Sequence, residues 1–78
     1  MAVVTSFELV SEQSKRLHPT HVECHCTVVT SEDGNRYLQL DTHGSDERKM
    51  TGKLSQTLQF DGQRARQLKR ILENIFPD

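Results

Sequence analysis

The sequence predicts an α+β domain: a four-stranded antiparallel sheet with one C-terminal helix packed on one face, in the order ββββα. Three observations lead there. Residues 20–30 and 36–42 each alternate apolar and polar side chains on either side of a turn-forming cluster. Ala65, Leu68, Ile71, Leu72, Ile75 and Phe76 recur at three- and four-residue spacing, which draws one apolar stripe along a helix. Finally, 78 residues allow one domain, 1–78, and only 33% of them are hydrophobic, so a single thin core is all the chain can build.

The elements follow in order. Residues 1–10 read as a first strand, with Val3, Phe7 and Leu9 competing against Val4 and Val10 for the inward face. Residues 11–19 are polar and form a long connection. In residues 20–30, Val22, Cys24, Cys26 and Val28 point one way and Glu23, His25 and Thr27 the other, the pattern of a half-buried strand. The cluster Ser31-Glu32-Asp33-Gly34-Asn35 supplies a turn centred on Asp-Gly. Residues 36–42 then alternate again, with Leu38, Leu40 and Thr42 inward and Tyr37, Gln39 and Asp41 outward, completing a hairpin. Residues 54–60 make the fourth strand, Leu54, Leu58 and Phe60 inward and Ser55, Thr57 and Gln59 outward. Gln56 falls on the apolar side of that pattern, which predicts a strand edge or a twist there. Asp61 stands where a helix N-cap belongs, its carboxylate able to accept orphan N–H groups of the first turn. Pro77 stops the helix after about four turns.

Net charge is -1, but the charge is segregated. Residues 1–47 set Lys15, Arg16 and Arg36 against eight carboxylates, and residues 48–70 set seven cations against Asp61 alone. That basic block suits a polyanionic partner, and it equally suits a solvated helix face. The longest apolar run is Met1-Ala2-Val3-Val4, far short of a membrane span, and no basic segment followed by an apolar one marks a secretory leader. Cys24 and Cys26 share a strand face at a spacing too strained for a disulfide, so reduced, buried thiols in a soluble cytoplasmic protein are expected.

Several residues invite chemistry. His18, His21, Glu23, Cys24, His25 and Cys26 offer zinc-type ligands within nine residues. The strand alternation sends the thiols to one face and His25 and Glu23 to the other, and no second ligand pair follows, so no metal or other cofactor is expected. The interval from Thr42 to Lys53 is a long polar loop. Its Gly44-Ser45 and Gly52-Lys53 are too far apart for a nucleotide-phosphate loop, and Leu54 stands where that motif needs Ser or Thr. Pairs such as Asp41 with His43 lack an orienting shell, and no catalytic function is expected.

The run Tyr37-Leu38-Gln39-Leu40-Asp41-Thr42-His43-Gly44-Ser45, with Arg48, Gly52-Lys53, Ser55-Gln56 and Gln59-Phe60-Asp61, is distinctive. Together with His18-Pro19-Thr20 and Val22-Glu23-Cys24 it resembles a family of small uncharacterised bacterial proteins, some labelled methionyl-tRNA formyltransferase-like. The resemblance covers most of residues 18–77. Seventy-eight residues do not hold a formyltransferase catalytic domain, so the resemblance implies a shared motif rather than that activity. In element order the chain is also similar to the whirly and transcriptional-coactivator type of single-stranded DNA-binding domain, which implies a dimer presenting a groove to the strand. It departs from that type in carrying only one aromatic, Tyr37, on its outward sheet face, beside Glu23 and Asp41.

Two functions are therefore expected from the sequence. In the first, a non-enzymatic module binds nucleic acid, single-stranded DNA foremost. Arg48, Lys49, Lys53, Arg64, Arg66, Lys69 and Arg70 would neutralise phosphates, Tyr37 would stack, and Gln39, Ser55, Thr57 and Gln59 would hydrogen-bond. In the alternative, an accessory subunit or small inhibitor engages a protein partner through the polar sheet face. A homodimer fits both, because the core is small and sheet edges invite pairing.

Overall fold

A computed structural model describes residues 1–44 and 54–78. It contains β1 (Ala2–Val3), β2 (Val22–Thr30), β3 (Arg36–Gly44), β4 (Leu54–Asp61) and α1 (Gly62–Ile75), the expected order of four strands and a helix. The strands form one sheet in the order β1-β4-β3-β2.

The sheet is mixed, not wholly antiparallel. β2–β3 and β3–β4 are antiparallel, but β1 runs parallel to β4, Ala2 opposite Leu58 and Val3 opposite Gln59. A parallel pair requires a long crossover, and the stretch between Val3 and Val22, which links opposite edges of the sheet, is long enough to provide it. The first strand is also far shorter than the ten residues expected. After the Val4 N–H donates to the Gln59 carbonyl at 2.8 Å, the chain turns away. It is then tethered to the helix: Arg64 Nε donates to the Thr5 carbonyl at 2.7 Å, and the Phe7 N–H donates to Gln67 Oε1 at 3.0 Å.

The hairpin forms as its pattern requires, with Cys26 opposite Leu40 and Val28 opposite Leu38. Its turn places Gly34 at φ 88, while the Gly34 N–H donates to the Ser31 carbonyl and the Ser31 N–H to the Asn35 carbonyl. That is a tight turn followed by a left-handed residue, a conformation favouring glycine. Ser31 and Asn35 both donate to the Asp33 carboxylate, and these bonds, that of Ser31 foremost, lower its pKa. β3 continues through His43 and Gly44, opposite Glu23 and Val22, so those two residues belong to the sheet and not to a loop.

β4 is an interior strand, flanked by β1 and β3, so Gln56 is not at an edge. The expected irregularity is present in another form. Thr42 pairs with Gln56 but His43 with Leu54, a β-bulge that leaves Ser55 as the extra residue. At the other end of β4, Asp61 becomes the helix N-cap with no intervening loop. Its carboxylate accepts the Arg64 N–H at 2.9 Å.

The core lies at this junction. Phe60, 2% exposed, is the one buried apolar side chain among the described residues, and Phe7 meets it edge-to-face with ring centroids 5.3 Å apart. Leu38 and Ala65 line a cleft with Phe60, and they are half-buried, as are Leu68 and Ile71. Contrary to expectation, the helix does not cover a whole sheet face: it packs chiefly against β4 and β3. Its apolar stripe opens toward the C-terminus, where Leu72 and Ile75 are exposed and Phe76 is 68% exposed. Val22, Cys24, Cys26 and Val28, expected in the core, are exposed as well, because the helix packs chiefly over β4 and β3. No helix among the described residues is long and apolar enough to cross a membrane.

Two local determinants are separable by mutation. Asp61→Ala removes the cap and Gly34→Ala forces a Cβ into the left-handed region, where no neighbour crowds it. Each is expected to cost about 1 kcal/mol, a Tm loss of about 4–8 °C by circular dichroism at equal protein concentration. Gly34→Asn should lose much less than Gly34→Ala.

Candidate functional site

Strand alternation gives the sheet two chemically distinct faces. The face away from Phe60 carries Glu23, His25 and Thr27 from β2, Tyr37, Gln39, Asp41 and His43 from β3, and Thr57 and Gln59 from β4, rows fixed by the cross-strand register. The structure brings Gln39, Thr57 and Gln59 together as expected, but on one another. Gln59 Nε2 donates to Gln39 Oε1 at 2.8 Å, and Gln39 Nε2 donates to both Asp41 oxygens at 3.2 and 3.0 Å. Thr57 Oγ1 donates to Asp41 Oδ1 at 2.7 Å and is buried, at 4% exposure.

The network therefore ends on a carboxylate. Donation from Gln39 and then Thr57 holds the Asp41 carboxyl below the usual carboxylate range, with smaller help from the nearby His43 and His25. The His25 and His43 rings stack at 4.2 Å with a 33° tilt, and His25 Nε2 lies 3.5 Å from Glu23 Oε1, where both side chains are exposed. The sequence reading missed this imidazole pair because it put His43 in a loop. Among the described residues, no group of three or more His, Cys, Asp or Glu is placed to hold a metal ion.

The expected cations divide three ways. Arg48, Lys49 and Lys53 lie outside the described residues, and Ser55 is placed in β4 by its backbone alone. Arg64 is committed to the fold, bonded to Thr5 and 4.0 Å from Asp61. Arg66, Lys69 and Arg70 are exposed on α1. Of these, Arg66 lines a cleft of about 270 Å³ with Asn35, Arg36, Tyr37, Asp61, Gly62 and Gln63. Arg36 was not among the expected site residues. The pairing of Tyr37 with Asp61 is the signal that could have found it, because it puts the hairpin turn beside the helix N-terminus.

The opposite face is open. Val22, Cys24, Cys26, Val28, Leu40 and Leu58 share it with Phe60, and Val28 is 64% and Leu58 41% exposed. Set against family models, curated proteins and solved structures, the chain matches none.

The Asp41 network carries its own pH signature. A carboxyl pKa lowered by folding contributes stability that is present above the unfolded carboxylate range and lost as pH falls through the lowered folded value. Thr57→Val removes one donor and should raise the Asp41 pKa toward the ordinary range, shifting the acid-unfolding midpoint to higher pH. An NMR titration of the Asp41 carboxyl carbon reads the first effect, and circular dichroism the second.

Proposed function

We propose that this chain is a small, non-enzymatic protein-interaction module of the cytoplasm whose apolar sheet face is closed by a protein partner. The observation that carries this reading is the open row of Val22, Cys24, Cys26, Val28 and Leu58, set in regular strands beside a core with one buried apolar side chain among the described residues. Contiguous apolar surface of this kind, rimmed by polar residues, marks interaction sites. The cytoplasm suits two free, exposed thiols, which an oxidising compartment would not leave reduced. The interacting face differs from the polar one expected from sequence, because Gln39, Thr57 and Gln59 of that face are bonded to one another and to Asp41.

This reading is tested by native mass spectrometry of the full chain purified after nuclease treatment. The expected result is a stoichiometric complex, with itself or another protein, that Leu58→Glu disrupts. The free 9.0 kDa chain as the only folded species would overturn it.

A second reading, binding of single-stranded nucleic acid, is favoured by the cleft that Arg36, Tyr37 and Arg66 line together, with Lys69 and Arg70 further along the helix. It predicts oligonucleotide affinity that falls steeply with salt in fluorescence anisotropy. Replacing Arg36 and Arg66 together by Ala should flatten the log–log salt dependence by about 1.4, the loss of two phosphate contacts. Affinity independent of salt would remove this reading.

A further inference from the structure

We propose that the partner is a second copy of this chain, joined antiparallel along β2 to make a continuous eight-stranded sheet with Cys26 on the two-fold axis. The proposal rests on the interaction-module reading above and names its occupant.

The two sheet edges differ. β1 is two residues long, and a very short edge strand is itself a protection against unwanted pairing. β2 is nine residues long, and among the described residues no strand covers its outer side. Glu23 is the one usual guard it carries. The strand has no Pro, no Lys or Arg and no register shift against β3, and Glu23 is its only carboxylate. An edge this long and so lightly guarded is stable in a native protein when something pairs with it.

The sequence of β2 complements itself. Pairing over its full length sets Val22 opposite Thr30, Cys24 opposite Val28, and Cys26 opposite Cys26 of the other copy. The exposed row then stays on one face of the joined sheet. On the other face Glu23 meets Val29 and His25 meets Thr27, so no like charges oppose one another. A shift of one residue would put apolar positions against polar ones, and a shift of two would leave the strand ends unpaired. The two-fold also sets Cys24, at the uncovered end of the sheet, beside Val28 of the other copy, which lines the small apolar cleft with Leu38, Phe60 and Ala65 at the helix-covered end.

The surface available is sufficient. The chain exposes 6968 Å², where a folded 9.0 kDa monomer exposes about 4,900 Å². The exposed residues 11–21 and the open apolar row of β2 contribute to that surplus. An interface of standard size takes about 800 Å² of it from each partner.

Sedimentation velocity on the full chain, joined to thiol cross-linking, tests the proposal. The expected species has twice the chain mass, and mild oxidation should yield a covalent dimer. Opposed Cα atoms in antiparallel strands lie about 4.5–5.5 Å apart, within disulfide range, whereas Cys24 of the two copies would be about 14 Å apart. Cys24→Ser should therefore keep the cross-link and Cys26→Ser abolish it. Cys26→Lys opposes two ammonium groups on the axis and should weaken the dimer roughly tenfold, while Leu17→Lys, in the polar connection, leaves it unchanged. A monomer at every concentration, or cross-linking that survives Cys26→Ser, overturns self-pairing. If the chain is instead found with a different protein that Leu58→Glu releases, self-pairing is wrong and the interaction-module reading stands.

Discussion

The passage from strand to helix at Phe60-Asp61 is the constraint on which the rest of this structure depends. Phe60 fills the core and the next residue caps α1, so the helix has no linker with which to adjust its position. It must begin at the end of β4, over Leu38 and Phe60, and it covers little of the sheet further across. The same junction recruits the amino-terminal segment. Phe7 closes on Phe60 from the edge, while Arg64 and Gln67 hold the backbone of Thr5 and Phe7 from the helix side. Three elements are thereby locked together by two aromatic rings and a few hydrogen bonds, and β2 touches the arrangement only at the cleft that Val28 lines.

That imbalance explains why the two faces behave differently. The polar face is cross-linked at its centre: Gln59, Gln39 and Thr57 lead to Asp41, and each bond both orders a side chain and consumes a donor that a ligand would need. Partly buried polar groups of this kind rigidify a sheet when fully paired. The apolar face is the reverse, with side chains of the right type in the right rows and too little to cover them. Exposed Val, Leu and Cys on a rigid strand gain about 25 cal/mol for each Å² removed from water, with no further backbone ordering to offset that gain. A preformed apolar row is thus a more effective binding surface than the hydrogen-bonded polar face.

Local periodicity made much of this fold legible. The alternation of residues 22–30 and 36–42 and the stripe from Ala65 to Phe76 each come from neighbours in sequence, and the Asp61 cap needs only one side chain and the next three residues. What was not legible depends on distant partners. Ala2 and Val3 lie parallel to β4 because a crossover carries the chain to the far edge, which two residues cannot announce. His43 looks like a loop residue until the length of β2 extends β3 to meet it. Arg36 joins Tyr37 and Arg66 only once Tyr37 is known to lie opposite Asp61. The apolar alternation of β2 correctly marked one face, but alternation says which side chains share a face and nothing about how far the covering layer extends.

That distinction bears on how the charge asymmetry should be read. The basic block of residues 48–70 looked like one surface in sequence, yet its described members have different surroundings. Arg64 is spent on the amino-terminal segment, and Arg66 turns back past Gly62 toward the sheet end. Lys69 and Arg70 stay on the exposed side of the helix. A stripe needs its cations within about a Debye length and unpaired, and a structural ion pair removes one from the count without altering composition. The open apolar row, by contrast, is intact in the fold, because a strand presents alternate residues as a unit and no element among the described residues interrupts it. Where a dispersed charge pattern and a continuous apolar surface compete as the basis for function in so small a domain, the continuous surface carries more free energy per residue.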